Sequence, residues 1–308
     1  MGSQALTHEK VAIITGSTSG IGLDLAKHLH GKGYRVAVTG RRAALGEEVA
    51  KDLDPSAETV IFIQCAVESY SSQANVFRTV WNKWGRLDVL IANAGIVDKG
   101  SVYNFGHRSA AVDDIPDEPD LSCTEIDWKG VVYGTVLATH FMRHNKTPGG
   151  KIIITNSMMG VHPGTTFPEY SAAKAAALQW ARTMAPLLLK KDNITINTVL
   201  PGAVDTPIKP GFALAFLPEH LTLTSCLLAA YDLYLNDESN QRTGEAVETA
   251  HDKHFFYEVP EYKGGDVSYR NTVVFERWFT GLHGEPSELE DALTESPRVK
   301  QNAAGTSQ

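Results

Sequence analysis

The chain has 308 residues, 43% hydrophobic and 21% charged, with a formal net charge of −8. This balance suits a globular protein with ample core material, and the acidic excess, with no Lys/Arg run, argues against a nucleic-acid surface. Three widely spaced cysteines, Cys65, Cys123 and Cys226, fit neither a disulfide framework nor a zinc site and point to reduced thiols with no metal. No apolar stretch reaches the ~20 residues of a membrane span. Met1 to Lys10 is polar and lacks a signal-peptide core, so a cytoplasmic protein without a membrane partner is expected.

Residues 10–15 (KVAIIT) form a short apolar run that ends in Gly16-Ser17-Thr18-Ser19-Gly20-Ile21-Gly22. A helical pattern follows through Leu23, Leu25, Ala26 and Leu29 and stops at Gly31 and Gly33. Residues 35–39 read as a second strand, 43–53 as a second helix, 59–64 as a third strand, 71–84 as a helix and 87–92 as a fourth strand. Strands alternating with helices predict βαβ units and a parallel sheet with helices on both faces. Residues 100–122 are polar and turn-rich, with Asp113, Asp114, Asp117, Glu118 and Asp120 around two prolines. They read as a surface insertion or a disordered segment.

The alternation then resumes. A long helix is expected over 125–143, a fifth strand over 151–156, a helix over 170–190 and a sixth strand over 194–200, which ends at Pro201-Gly202. A helix over 221–235 and a short strand over 246–249 complete a doubly wound α/β domain of residues 1–250. Residues 251–294 read as a C-terminal extension and 295–308 as a disordered tail.

Strand, glycine turn and helix together are what a phosphate-binding turn needs. Glycines permit a tight turn and let the backbone approach a pyrophosphate, and the helix N-terminus offers free N–H groups and a positive dipole end. The end of the second strand selects the dinucleotide: a carboxylate there would bind a ribose 2′-hydroxyl, a cation a 2′-phosphate. Here the sequence is Thr39-Gly40-Arg41-Arg42. Two guanidiniums suit a 2′-phosphate, so NADP(H) is preferred and NAD(H) is the alternative.

Tyr170 and Lys174 stand four residues apart, on one face of a helix. An ammonium one turn from a phenol favours the phenolate and moves its pKa toward working pH, making the pair a proton-transfer device.

These motifs together resemble the short-chain dehydrogenase/reductase family, whose fold is a Rossmann-type doubly wound sheet. Thr15 to Gly22 matches its TGxxxGxG turn, Asn93-Ala94-Gly95 its NAG element, Tyr170-xxx-Lys174 its YxxxK pair and Pro201-Gly202-Ala203-Val204-Asp205-Thr206 its PG-x-V-x-T turn. Ser157 lies thirteen residues before Tyr170, the family's usual interval. The resemblance implies that Tyr170 exchanges a proton with a carbonyl or hydroxyl oxygen and that Lys174 depresses its pKa and holds the nicotinamide ribose. Ser157 would hydrogen-bond the substrate oxygen, Val204 and Thr206 would fix the carboxamide, and Asn93 would serve the adenosine-side ribose region. It also implies a homodimer or homotetramer built on the two long helices, for which the alanine-rich face of 170–185 would allow close packing, and a substrate lid at about 207–218.

Two positions depart from the family pattern. Asp127, in Ile126-Asp127-Trp128-Lys129-Gly130, stands where the family usually has a catalytic Asn, and Ala66 stands where it commonly has Asp. An ionised carboxylate accepts hydrogen bonds but donates none, and it would work against the Lys174 charge. Adenine contact near Ala66 would fall to backbone atoms. Around 244–262 the chain is distantly similar to the hydroxyprostaglandin dehydrogenase subgroup, which implies tolerance of a bulky lipophilic substrate. Alternatively, the C-terminal aromatics only pack the extension against the domain or a neighbouring subunit.

The expected activity is an NADP(H)-dependent ketoreductase or secondary alcohol dehydrogenase acting on a small-to-medium, fairly apolar substrate. The alternatives are an NAD-dependent alcohol dehydrogenase, or a non-redox isomerase, cyclase or cofactor-binding scaffold that exploits Asp127.

Overall fold

Apolar runs without alternation are what strands buried on both faces require, and each run read above forms a strand. The computed structural model describes residues 9–208 and 211–294. Lys10–Ile14 (β1), Gly20–Gly31 (α1), Tyr34–Gly40 (β2), Ala43–Leu53 (α2), Val60–Gln64 (β3), Tyr70–Trp84 (α3) and Val89–Ala92 (β4) form the first half. After the insertion come Ser122–Thr124 (α4), a π-helical turn over Glu125–Lys129, Gly130–Arg143 (α5), Gly150–Thr155 (β5) and Pro168–Asp192 (α6). Ile194–Pro201 (β6), Thr224–Leu235 (α7), Ala246–Ala250 (β7) and Lys253–Phe256 (β8) close the sheet.

The strand order is β3-β2-β1-β4-β5-β6-β7-β8. The first seven strands are parallel and β8 is antiparallel to β7. Alternate residues of β1 divide between two cores. Val11 and Ile13 pack with α3, α5 and α6, whereas Ala12 and Ile14 pack with α1, α2 and α7. The order reverses between β1 and β4, so the loops after those strands open a crevice at their carboxyl ends.

Two elements differ from the sequence reading in ways that bear on the site. The long helix expected over 125–143 starts with a π turn that contains Asp127; such turns re-aim side chains and recur at functional sites. Helix α6 starts at Pro168, because proline suits the first helical position, which places Tyr170 in the first turn. Ala173, Ala177, Ala181 and Ala185, each four residues from the next, are buried in α6, and the last three lie in the core against the sheet.

Residues 99–121 are all exposed. They include a 3-10 turn over Phe105–His107, and the Tyr103 hydroxyl donates to the Thr165 carbonyl at 2.8 Å. The chain divides into two compact units, Met1–Tyr257 and Glu258–Gln308. The first takes in β8, which lies within the stretch read from the sequence as an extension. In the second, Asp266–Arg270 (α8) precedes Glu276–His283 (α9), and the Glu276 carboxylate accepts the Ser287 N–H at 3.0 Å. The expected tail, 295–308, lies outside the described residues.

Candidate active site

The glycine turn joins β1 to α1 and is held from beneath by side chains that bond inward. Ser17 is fully buried; its hydroxyl donates to the Ile14 carbonyl at 2.7 Å and accepts the Thr39 N–H at 2.9 Å, stitching the ends of β1 and β2 together. The Asn93 amide donates to the carbonyls of Thr15 (2.9 Å) and Gly16 (3.3 Å). Thr15 Oγ1 in turn accepts the N–H groups of Asn93 and Ala94. Both Ser17 and Asn93 thus brace the turn from within.

A Cβ on Gly22 would sit 2.5 Å from the Gly16 carbonyl oxygen and 2.6 Å from Asn93 Nδ2. Only glycine fits there, and the backbone closes into a tight cradle. Above it, the N-cap residue Ser19 makes no side-chain cap to α1, which leaves the helix N-terminus to an anionic group. Ile21, in the first turn of α1, packs on the core. A dinucleotide pyrophosphate fits this cradle.

Arg41 and Arg42 are both exposed at the end of β2. The Arg42 guanidinium reaches over the turn, donating to Ser19 Oγ at 3.0 Å. The Ala66 N–H already donates to Ser72 Oγ at 3.0 Å, so that backbone donor is engaged within the protein. On the opposite wall, the Gly202 N–H donates to the Thr249 carbonyl at 3.0 Å and anchors the turn that Pro201 opens. Thr206 lies over Gly20, and Val204 packs on the core.

A chain of close contacts leads from this turn to Tyr170. Ala94 packs on Gly16, and a Cβ on Gly95 would lie 2.7 Å from Asp127 Oδ2. Asp127 is fully buried; its Oδ1 accepts the Ile96 N–H at 2.9 Å. Its Oδ2 lies 3.1 Å from Lys174 Nζ, a direct ion pair without the alignment of a hydrogen bond. Lys174 Nζ donates to the Thr155 carbonyl at 3.0 Å and stands 5.4 Å from the Tyr170 ring centre. The Ser157 hydroxyl stands close enough to the Tyr170 phenol to favour its phenolate and accepts the Met159 N–H at 3.1 Å, capping the short turn after β5. The structure thus brings Ser157, Tyr170, Lys174 and Asp127 together.

Electrostatically, the phenol differs from the expectation. Burial raises the Tyr170 pKa and outweighs the lowering by Lys174 and by the nearby Ser157 hydroxyl, and Asp127 adds to the rise. The sequence spacing showed the ammonium but not the burial, so the net direction is the reverse of the one expected. For Lys174, burial pulls the pKa down, but the Asp127 carboxylate and the Tyr170 oxygen more than offset it, and the net direction is up. Lys174 therefore keeps its proton at neutral pH. Burial raises the Asp127 pKa against the pull of Lys174 and the Ile96 N–H.

Sequence reasoning missed Asn156. Its amide donates to the Lys174 carbonyl at 3.0 Å and its Oδ1 accepts the Ser157 N–H at 2.8 Å, joining the two functional segments. An amide at the end of a buried apolar strand was the available signal. Of the expected lid, Lys209 and Pro210 lie outside the described residues; a 3-10 turn over Pro218–His220 ends the segment. Cys65, Cys123 and Cys226 are buried and free. No helix among the described residues is long and apolar enough to cross a membrane.

A parallel sheet with a glycine-cradled helix N-terminus at the point of strand reversal is the build of a dinucleotide-dependent enzyme. The short chain dehydrogenase family model matches residues 10–213, and the chain belongs to that family; it is an NAD(P)-dependent oxidoreductase. It is 45% identical over 296 residues to a short-chain dehydrogenase/reductase, prx6, of Penicillium rubens, covering 93% of this chain and 98% of that protein. An NADP-dependent (R)-specific alcohol dehydrogenase of Lentilactobacillus kefiri is 32% identical over 65% of this chain and 75% of its own. The mouse (Mus musculus) NAD(+)-dependent 15-hydroxyprostaglandin dehydrogenase is 32% identical over 65% of this chain and 69% of its own.

Proposed function

We propose that the enzyme is an NADP(H)-dependent ketoreductase or secondary alcohol dehydrogenase for a small-to-medium, fairly apolar substrate. The observation that carries this reading is the Tyr170 phenol set near the Ser157 hydroxyl and beside the Lys174 ammonium, linked by close contacts to the glycine cradle. The dinucleotide supplies or accepts hydride when bound. Tyr170 gives its proton to the carbonyl oxygen in reduction and takes it back in oxidation, while the Ser157 hydroxyl stabilises charge on that oxygen. Lys174 keeps a positive charge beside the phenolate. Gly16, Gly20 and Gly22 receive the pyrophosphate, with Val204 and Thr206 on the opposite wall.

A phenol whose pKa is raised is protonated near neutrality, the form from which a carbonyl oxygen can take its proton. Arg41 and Arg42, with no carboxylate between Thr39 and Arg42, support NADP(H); the prostaglandin dehydrogenase relatives keep NAD(H) as the alternative. Full burial of Asp127 against Lys174 weighs against a non-redox role as a substrate acid or base, because substrate has no access to it. A panel of ketones and secondary alcohols, each run with NADPH, NADH and their oxidised forms at 340 nm, tests the reading. Turnover of apolar ketones with NADPH is expected; turnover confined to NAD(H) would overturn the cofactor assignment, and none with any pair would overturn the substrate class.

A further inference from the structure

Both ends of the exposed insertion are tied to the first turn of α6. Just before it, Asp98 accepts two backbone N–H groups, that of Glu169 at 3.0 Å through Oδ2 and that of Tyr170 at 2.8 Å through Oδ1. Just after it, the Thr124 N–H donates to Glu169 Oε1 at 2.7 Å, and Glu169 is buried. Helix α6 has Phe167 at its N-cap, with no side-chain cap of its own. Its open N–H groups are instead satisfied by a carboxylate from the loop after β4, where the helix dipole also favours an anion. The Cys123 sulfur and a carboxylate oxygen from each of Asp98 and Glu169 lie within 4.8 Å of one another. Both Asp98 oxygens and Glu169 Oε1 are already engaged by backbone N–H groups, so the cluster forms a clamp.

We propose that Asp98 and Glu169 are positioning residues for Tyr170. They lock the first turn of α6 to the loop after β4 on one side and to the turn leading into Asp127 on the other, holding the phenol in register with Ser157 and Lys174. The inference rests on the reading of Tyr170 as the proton-transfer group. Misplacing a reacting group by about 1 Å costs on the order of 100-fold in rate, and losing both Asp98 bonds frees the turn that carries the phenol.

The test compares Asp98→Ala, Asp98→Asn, Glu169→Ala and Tyr170→Phe, using the panel ketone that the parent enzyme reduces fastest. For each, kcat, KM, NADPH dissociation constant and Tm are measured, with kinetics well below the lowest Tm. Asp98→Ala is expected to lower kcat about 10- to 100-fold while NADPH affinity stays within about twofold. Asp98→Asn is expected to recover kcat to within about fivefold of the parent, because its remaining oxygen still accepts the Tyr170 N–H. A cap that only stabilises the fold would lower Tm and leave kcat unchanged.

Parent-like kcat in folded Asp98→Ala would overturn the inference, as would equal losses in Asp98→Ala and Asp98→Asn. Should Asp98→Ala fail to fold, Glu169→Ala decides: a several-fold fall in kcat supports the clamp and a parent-like value refutes it. Tyr170→Phe separates the two levels. If it turns over as fast as the parent, the catalytic reading itself fails; if it is inactive while folded Asp98→Ala is unimpaired, only the clamp fails.

Discussion

Replacing Asp127 by Asn removes the negative charge paired directly with Lys174 while leaving the side chain's shape nearly unchanged. Lys174 Nζ lies 3.1 Å from Asp127 Oδ2 and 5.4 Å from the Tyr170 ring centre, so carboxylate and ring are separated by no more than the sum of those distances. At a separation of roughly 8 Å and an effective dielectric of about 20, two unit charges interact by about 2 kcal/mol, worth about 1.5 pH units in a pKa. The Asp127 charge disfavours the phenolate, so its removal lowers the Tyr170 pKa. In alcohol oxidation, which requires the phenolate, kcat/KM rises with pH through that pKa; in Asp127→Asn the rise is expected to fall by about one to 1.5 pH units. The assay is the pH profile of kcat/KM for oxidation in parent and variant, with cofactor binding confirming the fold. Coincident profiles, or a rise displaced to higher pH in the variant, would refute the electrostatic account.

Further outcomes follow from the same geometry. Asp127→Ala leaves the Lys174 ammonium buried beside the Thr155 carbonyl without its carboxylate partner, and a broken buried pair costs about 3–5 kcal/mol; thermal unfolding should show a Tm lower by roughly 10 °C. The double variant Arg41→Ala/Arg42→Ala should weaken NADPH binding about 10- to 100-fold, the loss of charge-assisted phosphate contacts, and leave NADH within about twofold in fluorescence titration. Equal losses for both cofactors would refute the 2′-phosphate assignment. Gly22→Ala places a methyl 2.5 Å from the Gly16 carbonyl oxygen; the turn must open, and binding of both dinucleotides should fall by more than about 10-fold. Unchanged titrations would show that the cradle does not hold the pyrophosphate.

What the sequence made legible was whatever depends on local pattern. The unbroken apolar runs of β1 and β4 mark strands covered on both faces, and the four-residue interval from Tyr170 to Lys174 places both on one helix face whatever lies around them. Strand β8 was hidden because its hairpin turn, His251-Asp252, lacks the glycine or asparagine that usually marks one; His251 adopts a φ of 51° without it. The π turn around Asp127 left no trace because no residue type is specific to it. The direction of the Tyr170 pKa was illegible for a related reason: spacing reveals a neighbouring ammonium but not the depth of burial opposing it. Asp98 sits in an irregular loop far in sequence from the helix it caps, and only the fold brings the two together.

The central claim is that Tyr170 moves the proton while the dinucleotide exchanges hydride with a carbonyl carbon. NADPH deuterated at either 4-position, incubated with a ketone the enzyme reduces, tests this directly by mass spectrometry of the alcohol. One of the two labelled forms should place a single deuterium on the carbinol carbon with the parent protein, and Tyr170→Phe should lose nearly all turnover while still binding NADPH. Product formed without deuterium from either form, or labelled alcohol made as fast by Tyr170→Phe, would contradict the account.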